Sequence, residues 1–146
     1  MNRLTTLITG LALLAVSATL CAQDEQRMVG LEYWNGIDAE EHVTESGLRY
    51  KIRHEGRGRK PNSTQKVSVH YRGMLLNGVV FDSSYDEDEP IKMSLKSVIK
   101  GWREGIPLMP KGSTWVFMIP PELAYGARGS DGIPPNSTLI FEVELY

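Results

Sequence analysis

From Ser46 to Tyr146 the sequence alternates apolar and polar residues in runs of strand length, and it offers one short stretch of helical spacing to cover them. Leu48, Tyr50 and Ile52 alternate with Arg49, Lys51 and Arg53, and Val67, Val69 and Tyr71 alternate with Ser68, His70 and Arg72. Leu139, Phe141, Val143 and Leu145 alternate with Ile140, Glu142 and Glu144 at the far end. This period of two predicts strands with one wet face. "STWVFMIP" (113–120) is a nearly continuous apolar run, which predicts a strand covered on both faces. "LLNGVVF" places Asn77-Gly78 between apolar residues, the strongest short signal for a hairpin.

The helical stretch is "KSVIKGWREGIPLMPKG" (96–112), where Val98, Ile99, Trp102 and Ile106 recur at helical spacing. Gly101 interrupts it and Pro107 ends it. Glycine in a helix interior costs roughly 1 kcal/mol relative to alanine, and proline cannot continue the hydrogen-bond ladder. A helix over Val98–Ile106 therefore owes its stability to packing, not propensity. A sheet with an apolar face needs a second layer, and this helix is the one available. The expected architecture is α+β: an antiparallel sheet curled around one short helix that points Trp102 into it. No internal repeat is visible.

The first 45 residues read differently. Residues 1–22 carry Arg3 near the start, an apolar run over Leu11–Val16 and no acidic residue, the layout of a secretory signal peptide. The apolar core is shorter than the roughly 20 residues needed to span a membrane. Val16-Ser17-Ala18 and Leu20-Cys21-Ala22 are the two candidate cleavage sites, giving a mature chain that starts near Thr19 or Gln23. Cys21 leaves lipid anchoring as an alternative to a soluble exported form, most simply periplasmic. Residues 23–45 are acidic with scattered apolar positions (Leu31, Tyr33, Trp34, Ile37), the pattern of a linker or loosely attached arm; docking of Trp34 on the domain is compatible with the sequence but not required by it. Residues 46–146 form the expected domain. Loss of Arg3 with the leader moves the formal charge from −2 to −3, which argues against a nucleic-acid partner. Cys21 is the one cysteine, so the domain has no internal disulfide and must rely on its core.

Most catalytic signatures are missing from the chain. It has no G-x-S-x-G, no P-loop and no G-x-G-x-x-G leading into a helix. His42, His54 and His70 are isolated from one another, and His70 falls on the polar face of its strand, where solvation is the simplest reading. "DEDE" (86–89) lacks the alternate spacing and central glycine of a calcium loop and reads as a solvated tip. No metal or cofactor site is expected. An aromatic set remains: Tyr71, Phe81, Trp102, Tyr125 and Phe141 fall on different elements, as either a core or a pocket would require.

Four motifs in order, "VSVHYRGMLLNGVVFDSSYD", "VIKGWREGIPLM", "IPPELAYGARG" and "IPPNSTLIFEVEL", resemble the FKBP-type peptidyl-prolyl cis-trans isomerases, and within them the single-domain and Mip-like bacterial branch. The likeness runs from about Ser46 to Tyr146. It implies an FKBP-like antiparallel sheet of five or six strands around one short helix. It implies a proline pocket floored by Trp102 and walled by Tyr71, Phe81, Asp82, Val98, Ile99, Tyr125, Ile133 and Phe141. Met93 stands where the family often has an aromatic, and Ser130 and Asp131 stand where other members carry bulkier or apolar residues. Asp82 and Tyr125 are the catalytic candidates: the Tyr125 hydroxyl and the backbone N–H of Ile99 match groups that donate to ligands in the family.

The implied partners are proline-containing polypeptides and macrolides of the FK506/rapamycin type. The implied activity is rotation about X-Pro bonds in exported proteins; the alternative is a peptide-binding chaperone module with incidental isomerase activity. Residues 23–45 carry no heptads for a helical dimerisation arm, so a monomer is expected.

Overall fold

The computed structural model describes residues 29–146; the expected leader and the first residues of the arm lie outside them. Among the described residues, seven strands form one antiparallel sheet: β1 (Glu41–Val43), β2 (Arg49–His54), β3 (Lys66–Leu75), β4 (Val80–Ser83), β5 (Ile91–Ser94), β6 (Thr114–Ile119) and β7 (Leu139–Leu145). Their order is β1-β2-β6-β7-β3-β4, with β5 also paired to β3. Helix α1 spans Val29–Asn35 and α2 spans Lys100–Gly105. The α+β class and the sheet around a short helix agree with expectation, and the short strands β1 and β5 bring the strand count to seven.

The alternating strands place one set of residues inward. Leu48, Val69, Phe117, Leu139, Val143 and Leu145 are fully buried and pack with Trp102 and Ile106 of the helical layer and with Leu95 and Met109 of the segments beside it. The helix is shorter than the sequence predicts. Val98 and Ile99 precede it, with Ile99 at ψ 155° as its N-cap, and Pro107 continues the chain into a 3₁₀ turn over Ile106–Leu108. Proline lacks only the N–H that the first turn of a helix leaves unpaired, so it starts the tighter turn without loss.

The glycines in this helix have a steric cause. A Cβ on Gly101 would lie 2.6 Å from Cγ2 of Ile119, and one on Gly105 would lie 2.5 Å from Cε1 of Phe117. Alanine at either position would hold the helix off β6. The unfavourable propensity is thus the condition for close contact, and it lets Trp102 sink to 4% exposure.

The outer face of the sheet is covered too. Trp34 of α1 is 1% exposed and packs with Ile37 on Met74, Val116, Met118 and Ile140. This accounts for the continuous apolar run in β6, whose two faces meet two separate clusters. It also revises the reading of the arm: within residues 29–43 the chain forms α1 and β1 and buries a tryptophan. The scattered apolar spacing hides this because α1 is seven residues long and buries only Gly30 and Trp34.

Candidate active site

The site is built where β3, β4, β7 and α2 converge. Tyr71 lies in the middle of β3, opposite Val143 of β7, and points inward. Its ring meets Trp102 edge-on, with centroids 5.1 Å apart and planes at 85°. Trp102 meets Phe141 at 5.2 Å and 81°, and Phe141 meets Phe81 at 5.4 Å and 84°. Edge-to-face contact is the arrangement the ring quadrupoles favour. These four rings come from four elements and form one continuous aromatic floor.

Gly73 makes room for that floor. It lies opposite Asp82 on one side and Phe141 on the other. A Cβ there would fall 2.6 Å from Cε1 of Phe141 and 2.7 Å from Cζ of Phe81. A glycine inside an alternating strand is the sequence signal for this close approach.

A polar pair stands beside the rings. The Tyr71 hydroxyl donates to Oδ2 of Asp82 at 2.7 Å. Burial first, and then the bond to Asp82, push the Tyr71 phenol well above its ordinary value, so it stays a proton donor. Asp82 itself is exposed, at the open side of the site.

The remaining expected residues divide by depth. Ile133 is buried at 6%, held by reciprocal backbone bonds with Ser130 at 3.0 Å. Val98, Ile99 and Met93 are partly buried against the same cluster, Met93 from β5 opposite Val67. Ile99, ahead of the first helical turn, has an N–H with no intrahelical acceptor. Tyr125 follows a 3₁₀ turn over Pro121–Leu123 and is 38% exposed, outside the ring cluster. The structure thus joins Tyr71, Phe81, Trp102, Phe141 and Asp82 directly and leaves Tyr125 out of the ring contacts. His70 differs from expectation: it is half-buried, its Nδ1 lies 3.1 Å from both oxygens of Ser84, and its ring stacks on Tyr85. The acidic tip 86–89 is exposed, and no group of metal-ligating side chains is found among the described residues.

Comparison with known proteins accords with this site. Residues 57–146 match the family profile described as FKBP-type peptidyl-prolyl cis-trans isomerase. The chain belongs to that family. It is 47% identical over 123 residues to the FKBP-type peptidyl-prolyl cis-trans isomerase FkpA of Aeromonas hydrophila, covering 83% of this chain and 46% of that protein. The chain spans about half the length of the curated relatives it matches. Among solved structures, it superposes on a peptidyl-prolyl cis-trans isomerase from Pseudomonas syringae pv. tomato with a TM-score of 0.69 at 34% identity, covering 87% of this chain and 92% of that one. It superposes on FkpA from Escherichia coli with a TM-score of 0.71 at 41% identity, covering 90% of this chain and 62% of that one.

Proposed function

We propose that this chain catalyses cis-trans isomerisation of X-Pro bonds in polypeptides, with the proline ring seated on Trp102. The observation that carries the reading is the aromatic floor of Tyr71, Trp102, Phe141 and Phe81 with the Tyr71–Asp82 hydrogen bond at its side.

The chemistry asks little of the protein beyond such a surface. The barrier to rotation is about 18–20 kcal/mol because the planar amide must give up resonance. A rate gain of about 10⁴ needs only about 5.5 kcal/mol of differential stabilisation. Rotation forms and breaks no covalent bond, so neither a nucleophile nor a proton transfer is required. The planar amide carries partial negative charge on its oxygen, which water stabilises, and the twisted amide carries less. Rings that exclude water therefore weaken the planar state relative to the twisted one. A carboxylate beside that oxygen acts in the same direction. In this reading Asp82 plays that role, oriented by Tyr71, while the Tyr125 hydroxyl and the Ile99 N–H donate to substrate carbonyls. Met93, Val98 and Ile133 complete the walls. The same surface would accept macrolides of the FK506/rapamycin type.

The leader layout of residues 1–22 supports export, most simply to the periplasm, with exported proline-containing chains as substrates. The mature N-terminus, read by mass spectrometry, checks this: a start near Thr19 or Gln23 supports it, and a full-length cytoplasmic chain refutes it. The activity is tested with short X-Pro peptides and the purified chain. Rapid isomerisation is expected; suppression of aggregation without isomerisation would instead make it a peptide-binding chaperone.

A further inference from the structure

We propose that Ser84 is a positioning residue for this site, fixing the backbone of Tyr71 so that its hydroxyl reaches Asp82; the proposal rests on the functional reading above. Strand β3 changes partners along one edge. Val69 is paired with Ile91 of β5, and Arg72 is paired with Ser83 of β4. His70 and Tyr71 lie between the two pairings, where no named strand continues the ladder on that edge.

Ser84 fills the break alone. Its N–H donates to the Tyr71 carbonyl at 2.9 Å, and its Oγ accepts from the Tyr71 N–H at 2.8 Å. A ladder residue would meet both groups with backbone; here one of the two partners is a side-chain hydroxyl. Ser84 has no exposed surface, so no water can replace that hydroxyl without opening the sheet. The Nδ1 of His70 sits 3.1 Å from both Oγ and the carbonyl oxygen of Ser84, which holds the serine from its other side.

The serine also follows Asp82 by two positions, so it clamps the two strands that carry the Tyr71–Asp82 pair. Leverage makes this consequential. A backbone tilt of about 10° would carry the phenol oxygen about 1 Å, and a misplacement of that size can cost about a hundredfold in rate. Replacing Ser84 with alanine leaves the buried Tyr71 N–H without an acceptor, which the chain can relieve only by moving Tyr71.

The test is a double-mutant cycle on the full chain, with kcat and KM measured for a chromogenic X-Pro tetrapeptide and the fold followed by circular dichroism. Ser84→Ala is expected to lower kcat about fivefold with KM changed less than about twofold. In a Tyr71→Phe background, which already lacks the bond to Asp82, the same substitution should change kcat by less than about 1.5-fold. A serine that merely stabilised the fold would give losses that multiply. Should the alanine variant not fold, Ser84→Cys, with its weaker acceptor, runs through the same cycle and should show a smaller loss that again disappears in Tyr71→Phe. Parental kcat in Ser84→Ala, or multiplying losses in the double variant, overturns the proposal. A parent chain without isomerase activity would sink the functional reading itself, and the positioning role with it.

Discussion

The Nζ of Lys51 donates to the carbonyl oxygen of Trp34 at 3.1 Å and lies 5.3 Å from the centroid of the same residue's ring. It also donates to the Ile37 carbonyl at 3.0 Å. A lysine on the outer side of β2 thereby adds a charged donor to the Trp34 carbonyl at the end of α1 and to the Ile37 carbonyl just beyond it, and it is only 8% exposed. Glu41 completes the arrangement, accepting from Trp34 Nε1 and from the Arg49 guanidinium.

Trp34→Ala is expected to destabilise the domain by about 3–5 kcal/mol, because it empties the outer cluster against Met74, Val116 and Ile140. Lys51→Met should cost about 1–3 kcal/mol by removing two charge-assisted hydrogen bonds to the Trp34 and Ile37 carbonyls. Urea denaturation measures both. Neither residue touches the aromatic floor, so kcat of the folded fraction should stay at the parental value. A Trp34→Ala chain as stable as its parent would show that α1 is not part of the folded unit.

Gly73→Ala probes the ring packing. The added methyl must displace Phe81, Phe141 or both, and overpacking of this kind costs about 1–3 kcal/mol. Because these rings belong to the proposed floor, peptide turnover should fall even under conditions where the variant is fully folded. Calorimetry beside kcat/KM for an X-Pro peptide checks it, and unaltered turnover would place the floor elsewhere.

Alkaline pH tests the outer face. The Tyr33 hydroxyl donates to Glu142, which also accepts from Arg53. Burial, followed by the bond to Glu142, pushes the Tyr33 phenol from 10.0 up to about 12, against the lowering effect of Arg53 and Arg72. The folded chain thus holds this proton more tightly than the unfolded chain does. The contribution is fully present below about pH 10 and is lost as pH rises from there toward about 12. With allowance for partial exposure it amounts to about 1 kcal/mol. The urea midpoint of the parent should therefore fall more steeply across this window than that of Tyr33→Phe. Parallel declines would remove Tyr33 from the linkage.

Residues that simply alternate were legible in the sequence. Leu48, Tyr50 and Ile52, then Val67, Val69 and Tyr71, then Leu139, Phe141, Val143 and Leu145 turn inward as their period requires, and Trp102 lies in the core from the short helix of the inner layer. What escaped depends on partners distant in the chain. Lys51 reads as a wet residue until Trp34 and Ile37 present carbonyls to it. His70 reads as solvated until the break in pairing brings Ser84 beneath it. The short strand β1 is three residues long, too brief for any period to show. The site was half legible for a similar reason. Alternation tells that Tyr71 and Phe141 point inward, but it does not tell which inward rings meet edge to face and which tyrosine, Tyr125, stays outside.

The central claim is that this pocket twists a prolyl amide and does not merely grip it, and two substitutions at its rim separate those acts. Met93→Phe adds an aromatic contact available before any twist, so macrolide binding should tighten by about 0.5–1.5 kcal/mol while turnover changes little. Asp82→Leu should do the reverse. The decisive measurement is kcat/KM for an X-Pro peptide on parent and Asp82→Leu chains of equal helicity and equal macrolide Kd. A fall of about tenfold or more in the variant is the predicted result. An Asp82→Leu chain that isomerises as fast as its parent would contradict the account and leave the pocket's shape and dryness to carry catalysis alone.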